Sequence, residues 1–142
     1  VLITSNAPRL TVRQIKNHLG RKEWSIAREL NLGALGHEGR LRGEKVTGAG
    51  KVGQGGQWQV ALEAYLQWLG IPEEDRQFLG DDGLPELHRF SVVAANEKIT
   101  PTQLIQFVEG NGLTHLQVGQ DRYFTHLQRI RFQTLLRAKT AA

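Results

Sequence analysis

RLRGEKVTGAGKVGQGGQW, residues 40–58, decides how the chain around it is read. Arg40, Arg42, Lys45 and Lys51 stand among glycines at 43, 48, 50, 53, 55 and 56. Glycine lets a backbone turn and approach another surface without a side chain in the way, and cations draw a polyanion. Taken alone, such a stretch reads equally as a solvated loop or as a basic hairpin. Its flanks are patterned, with helical periodicity before it and an aromatic strand leading into another helix after it. Set between those elements, it reads as a hairpin reaching out of a folded domain.

Upstream, Thr11 and Gln14 form a capping box, in which the hydroxyl accepts from the third helical N–H and the amide reaches back. Val12, Ile15 and Leu19 follow at helical spacing until Gly20 stops the run. After a short turn, residues 23–32 offer Ile26, Ala27 and Leu30 as a second apolar stripe, with Trp24 near its start. Ser25, Arg28, Glu29 and Asn31 fall on the open side, and Gly33 and Gly36 are expected to close the helix. Two helices joined so tightly make a helix-turn-helix. Leu2 and Ile3, in the lead-in, are expected to form an edge strand or to pack on the core. Downstream, Trp58 and Val60 alternate with Gln57 and Gln59 as a half-buried strand. Leu62, Tyr65, Leu66 and Leu69 then line a core helix that Gly70 and Pro72 stop.

The second half reads less directly. Pro72 and the acids after it predict a short helix through Phe78 and Leu79, residues 80–83 a turn between the halves, and FSVVA at 90–94 a strand. Thr100 and Gln103 repeat the box of Thr11 and Gln14, and Gly110 answers Gly20. Strands at 113–118 and 122–124 follow, then a third capping box, Thr125 with Gln128, opens a long helix to about Lys139. Aligning Thr100 on Thr11 and Tyr123 on Trp58 leaves two readings: a reduced second copy without the second helix and hairpin tip, or a similarity without structural meaning. The expected fold class is α+β. Its parts are a first domain over 1–71, an acidic connector over 72–98 and a smaller α+β half over 99–142.

Composition bounds the rest. The 142 residues are 39% hydrophobic and 23% charged, as a soluble chain with a buried core requires. No apolar run approaches the ~20 residues that cross a bilayer, and the first ten residues lack the basic flank and length of a secretory leader. Without Cys there are no disulfides or thiolate metal sites, which fits the cytosol. Residues 1–70 carry ten Lys/Arg against five Asp/Glu, residues 71–98 three against seven, and residues 99–142 five against two. Basic ends about an acidic middle predict an anionic partner met by the ends.

The pattern LTVRQIKNHLG…WSIARELNLG…RLRGEKV…GGQWQVALEAYLQWL, over residues 10–69, resembles the small winged helix-turn-helix proteins of the excisionase and MerR-like type. The glycine-rich segment after Leu30 and the long stretch 46–57 depart from that pattern. The resemblance implies sequence-directed binding of double-stranded DNA, commonly as a dimer, in transcriptional regulation or recombination. Carried over by position, Ser25, Arg28, Glu29 and Asn31 would face bases in the major groove. Arg13, Lys16, Arg21 and Lys22 would flank the phosphate backbone, and Arg40, Arg42, Lys45 and Lys51 would supply the wing. The localisation implied is cytoplasmic and nucleoid-associated. Two alternatives stand beside it: a protein-interaction module of a larger assembly, and a non-specific DNA architecture or repair protein. The last helix, with Arg129, Arg131 and Arg137, reads as a dimer seam or a basic edge.

No enzyme signature emerges, and neither a cofactor nor a small-molecule substrate is expected. GAGKVGQGG at 48–56 lacks the Gly-Lys-Ser/Thr ending of a phosphate loop. Glu73, Glu74, Asp75, Asp81 and Asp82 suit helix starts and turns, and the five histidines show no metal-ligand spacing.

Overall fold

At Thr11 the chain passes from strand to helix without a loop, and the same joint recurs three more times. The computed structural model describes residues 9–46 and 57–141, so Leu2 and Ile3, expected as an edge strand or packed on the core, and Lys51, expected in a wing, lie outside the described residues. The chain divides into two compact units, Val1–Gly70 and Ile71–Ala142. Among the described residues they make an α+β structure of six α-helices and two three-stranded antiparallel sheets.

Unit 1 runs β1 (Arg9–Thr11), α1 (Val12–Leu19), α2 (Glu23–Ala34), β2 (Glu44–Val46), β3 (Gln57–Ala61) and α3 (Leu62–Leu69). Its sheet has the order β1-β3-β2, with Leu10 opposite Val60 and Lys45 opposite Trp58. The predicted capping box is formed: Gln14 N–H donates to Thr11 Oγ1 at 3.2 Å, and Thr11 N–H to Gln14 Oε1 at 2.8 Å. Gly20 and Gly70 end α1 and α3 in the left-handed region, which favours glycine. Ile15, Leu19, Leu30, Leu41, Val60 and Tyr65 fill the interior. Gly33 lies inside α2 rather than beyond it, because Leu41 returns across that turn and its carbonyl occupies the space a side chain would need. His18 Nδ1 lies 2.6 Å from the buried Tyr65 hydroxyl, joining α1 to α3.

Unit 2 begins with a single 3-10 turn, Glu73–Asp75, where a helix through Phe78 and Leu79 was expected. It continues β4 (Leu87–Arg89), α4 (Phe90–Asn96), α5 (Pro101–Gly110), β5 (Leu116–Val118), β6 (Asp121–Thr125) and α6 (His126–Ala141). FSVVA is therefore helix, not strand. Phe90, Val93 and Ala94 fall at the helical period and are buried with Leu104, Val108, Phe124 and Phe132, while Val92 faces out. Residues 72–98 are likewise not a connector, since β4 pairs with β6 and α4 enters this core. Thr100 and Gln103 do form a capping box, at the start of α5, and Thr125 and Gln128 form one at α6.

Both units have one topology. β1, α1 and α2 begin at 9, 12 and 23, and β4, α4 and α5 begin at 87, 90 and 101, a constant difference of 78. β3 and α3 begin at 57 and 62, and β6 and α6 at 121 and 126, a constant difference of 64. The second sheet has the matching order β4-β6-β5, and its register matches pair for pair: His88 opposite Phe124 answers Leu10 opposite Val60. Buried Ile15, Ile26, Leu30 and Val60 correspond to buried Val93, Leu104, Val108 and Phe124. The second copy thus lacks no helix. Thr100 corresponds to Lys22 at the second helix, not to Thr11 at the first, and the shortening falls between α5 and β6. The Thr11–Thr100 alignment followed capping chemistry that the two units use at different helices.

Candidate functional site

A helix exposes side chains spaced three and four apart along one stripe, and α2 buries Ile26, Leu30 and Gly33. The opposite stripe is Trp24, Arg28 and Asn31, all exposed, with Trp24 at 63%. Two of the four side chains assigned by sequence to base contact, Arg28 and Asn31, are on it. The other two have internal partners. Glu29 Oε2 accepts from Leu41 N–H at 3.1 Å and Oε1 from Arg40 Nη1 at 3.0 Å, and only 16% of the side chain is exposed. Ser25 Oγ accepts from Arg21 Nη2 at 2.9 Å. Trp24, read from sequence with the apolar stripe, stands on the open face instead. The signal for it was available, because 24 is out of phase with 26, 30 and 33.

The cations divide in the same way. Arg13, Lys22, Arg28 and Arg42 are exposed, and with the half-buried Lys16 they take part in no side-chain ion pair among the described residues. Arg40 is spent on Glu29, and Arg21 holds Ser25. Lys45 Nζ lies 5.8 Å from the centroid of the Trp58 ring, a cation–π contact between paired residues of β2 and β3.

Between the start of α1, the first turns of α2 and the start of β3 lies an open cleft of about 440 Å³. Thr11, Val12, Arg13, Glu23, Ala27, Gln57 and Trp58 line it. A second recess of about 220 Å³, on the other side of the sheet, includes Arg9, Arg42, Glu44 and Gln59. Arg9 there is paired with Glu44 at 2.9 Å, so Arg42 is the cation left open.

Unit 2 repeats the larger cleft. Arg89, Phe90, Ser91, Pro101, Ile105, Asp121 and Arg122 line a cleft of about 170 Å³ with Gln120. By the constant differences above, these seven correspond one by one to the seven residues of the unit 1 cleft. The scaffold is kept and the charge is not. Arg13, Lys22 and Arg28 correspond to Ser91, Thr100 and Gln106, and Lys45 to Gln117 across the matched strands. The two arginines in this cleft face acids: Arg122 Nη1 lies 3.1 Å from Glu109 Oε1, and Arg89 Nη2 3.6 Å from Asp121 Oδ1. Residues 71–142 carry eight Lys/Arg against nine Asp/Glu, while residues 1–70 hold an excess of five cations.

Unit 2 also holds a polar cluster where unit 1 is apolar. His88 occupies the place of Leu10, beside Glu86 and Arg129, and His126 Nδ1 lies 2.8 Å from Glu86 Oε2. Burial and the Arg129 charge lower the His88 pKa from its usual 6.5, against the opposing pull of Glu86.

Among the described residues no group of three His, Asp or Glu could hold a metal ion, and no helix is long and apolar enough to cross a membrane. No protein family, curated protein or solved structure matches the chain.

Proposed function

We propose that unit 1 binds double-stranded DNA as a winged helix-turn-helix, with α2 in the major groove and β2, β3 and the glycine-rich stretch between them as the wing. The observation that carries this is the exposed stripe Trp24, Arg28 and Asn31 on a helix whose unit leaves Arg13, Lys22 and Arg42 open. Arg28 suits the two acceptors of guanine, Asn31 the donor and acceptor of adenine, and the Trp24 ring a thymine methyl. Arg13 and Lys22 flank the start of α2, where they would meet phosphates, and Arg42, Lys45 and Lys51 would meet the backbone or minor groove along the wing. Glu29 has no part in base reading here, because its carboxylate holds Arg40 and Leu41 in place. On this reading the chain regulates transcription or recombination at a preferred sequence.

Selection of bound sequences from a random duplex pool tests the proposal. The full chain should enrich a short motif, and Arg28→Ala and Trp24→Ala should each relax one or two positions of it. Enrichment of no motif, or a motif indifferent to both changes, would remove α2 from the reading role.

A further inference from the structure

We propose that unit 1 reads C5-methylated pyrimidines, with Trp24 covering the methyl group of the base pair next to the guanine that Arg28 holds. The inference rests on the reading that α2 enters the major groove, and it names the chemistry recognised there. Trp24 and Arg28 are four residues apart on the open stripe of α2, and Trp24 is 63% exposed. The fold does not ask for a ring at this position. Ile26 and Leu30 of α2 correspond to the equally buried Leu104 and Val108 of α5, yet the counterpart of Trp24 is the exposed Thr102, and that of Arg28 is Gln106. Between the two copies of the scaffold, the exposed ring goes with the open cations Arg13, Lys22 and Arg28, and the copy that has Ser91, Thr100 and Gln106 in their place has threonine for the ring.

The major groove offers an indole little else to bury against. Guanine, adenine and cytosine line it with polar donors and acceptors, and the C5-methyl of thymine is the apolar group among them. Side chains four apart on a helix have Cβ atoms about 5–6 Å apart, under two base-pair rises of about 3.4 Å each, so the two fall on adjacent pairs. Arg28 takes the N7 and O6 acceptors of guanine, and the Trp24 ring covers the methyl beside it. Cytosine carries a hydrogen where thymine carries that methyl, and methylation at C5 supplies the same group at the same place. A cytosine at this position is therefore bound more tightly when methylated. Binding by unit 1 then responds to a modification of DNA that leaves base pairing unchanged.

Competition binding of the full chain to the duplex enriched from a random pool tests this. Each thymine of the motif is replaced in turn by uracil, and each cytosine in turn by 5-methylcytosine, changes that touch the C5 group alone. Burying one methyl is worth about fourfold in affinity. The position beside the guanine should therefore lose about fourfold when uracil replaces thymine, and a cytosine placed there should gain as much on methylation. Trp24→Thr, which installs the residue of the matching position in unit 2, should abolish both differences with a wild-type melting curve, and Trp24→Phe should keep them. Binding to the motif that is indifferent to the C5 group at every position, or a discrimination that survives Trp24→Thr, would overturn the proposal and leave the groove-reading role of α2 standing. Failure to bind any duplex at low salt would overturn both.

Discussion

Glu29 and Leu41 are joined across the segment that follows α2: the carboxylate accepts the Leu41 N–H at 3.1 Å, and Leu41 is 1% exposed. Its other oxygen takes Arg40, so one acid fixes the path from the helix to β2. Charge-assisted hydrogen bonds to buried donors contribute about 1.5–3 kcal/mol, and leaving the donor unpaired adds desolvation. Glu29→Ala is therefore expected to destabilise the chain by about 2 kcal/mol in denaturant melts. It should leave the preferred DNA sequence unchanged, which separates a structural carboxylate from a base-reading one.

Glycine has opposite meanings at two positions of matched elements. At Gly33 a methyl group would collide with the Leu41 carbonyl, while at Gly110, the last residue of α5, it would meet nothing within 4 Å. Overpacking costs about 1–3 kcal/mol, and an unstrained glycine-to-alanine change gains about 0.4–1 kcal/mol. Gly33→Ala should lower the melting temperature and Gly110→Ala should raise it.

His88 makes unit 2 sensitive to acid. Its folded pKa lies below the unfolded value of 6.5, so below that pH the unfolded chain takes up a proton that the folded chain resists. Stability falls as pH drops through this window and is regained as it rises. His88→Leu, which installs the residue of the matching position in unit 1, should make the decline in melting temperature between about pH 7.5 and 5.5 shallower. An unchanged decline would place the acid sensitivity elsewhere.

Two arginines should behave differently toward DNA. If α2 reads the major groove as proposed, Arg28→Ala removes a contact worth about 1–3 kcal/mol at the preferred site and little elsewhere. Arg42→Ala should weaken all duplexes alike and reduce the salt slope by about one. Competition binding with preferred and scrambled duplexes distinguishes the two patterns.

Much of unit 1 was legible because local chemistry and tertiary role agree there. The Thr11–Gln14 box, the Gly20 stop, the alternation about Trp58 and Val60, and the apolar face of 62–69 each have one reading. Unit 2 was harder for specific reasons. Val92 and Val93 give α4 a strand-like composition that its burial period overrides. The Thr100 box marks the second helix of its unit, whereas the Thr11 box marks the first, so matching box to box shifts the second copy by a helix. On α2, the exposure of Arg28 and Asn31 was evident from phase. The occupation of Glu29 by Leu41 was not, because twelve residues separate them and no local pattern links them.

If unit 1 meets DNA through its open cations, as proposed, duplex binding weakens steeply with salt. Each neutralised phosphate contributes about 0.9 to the slope of log affinity against log salt. Titration of a labelled random duplex with the full chain at several salt concentrations should give a slope of about −3 to −5, matching Arg13, Lys22, Arg42, Lys45 and Lys51. Affinity independent of salt, or no binding at the lowest salt, would rule out a phosphate-meeting role for these cations.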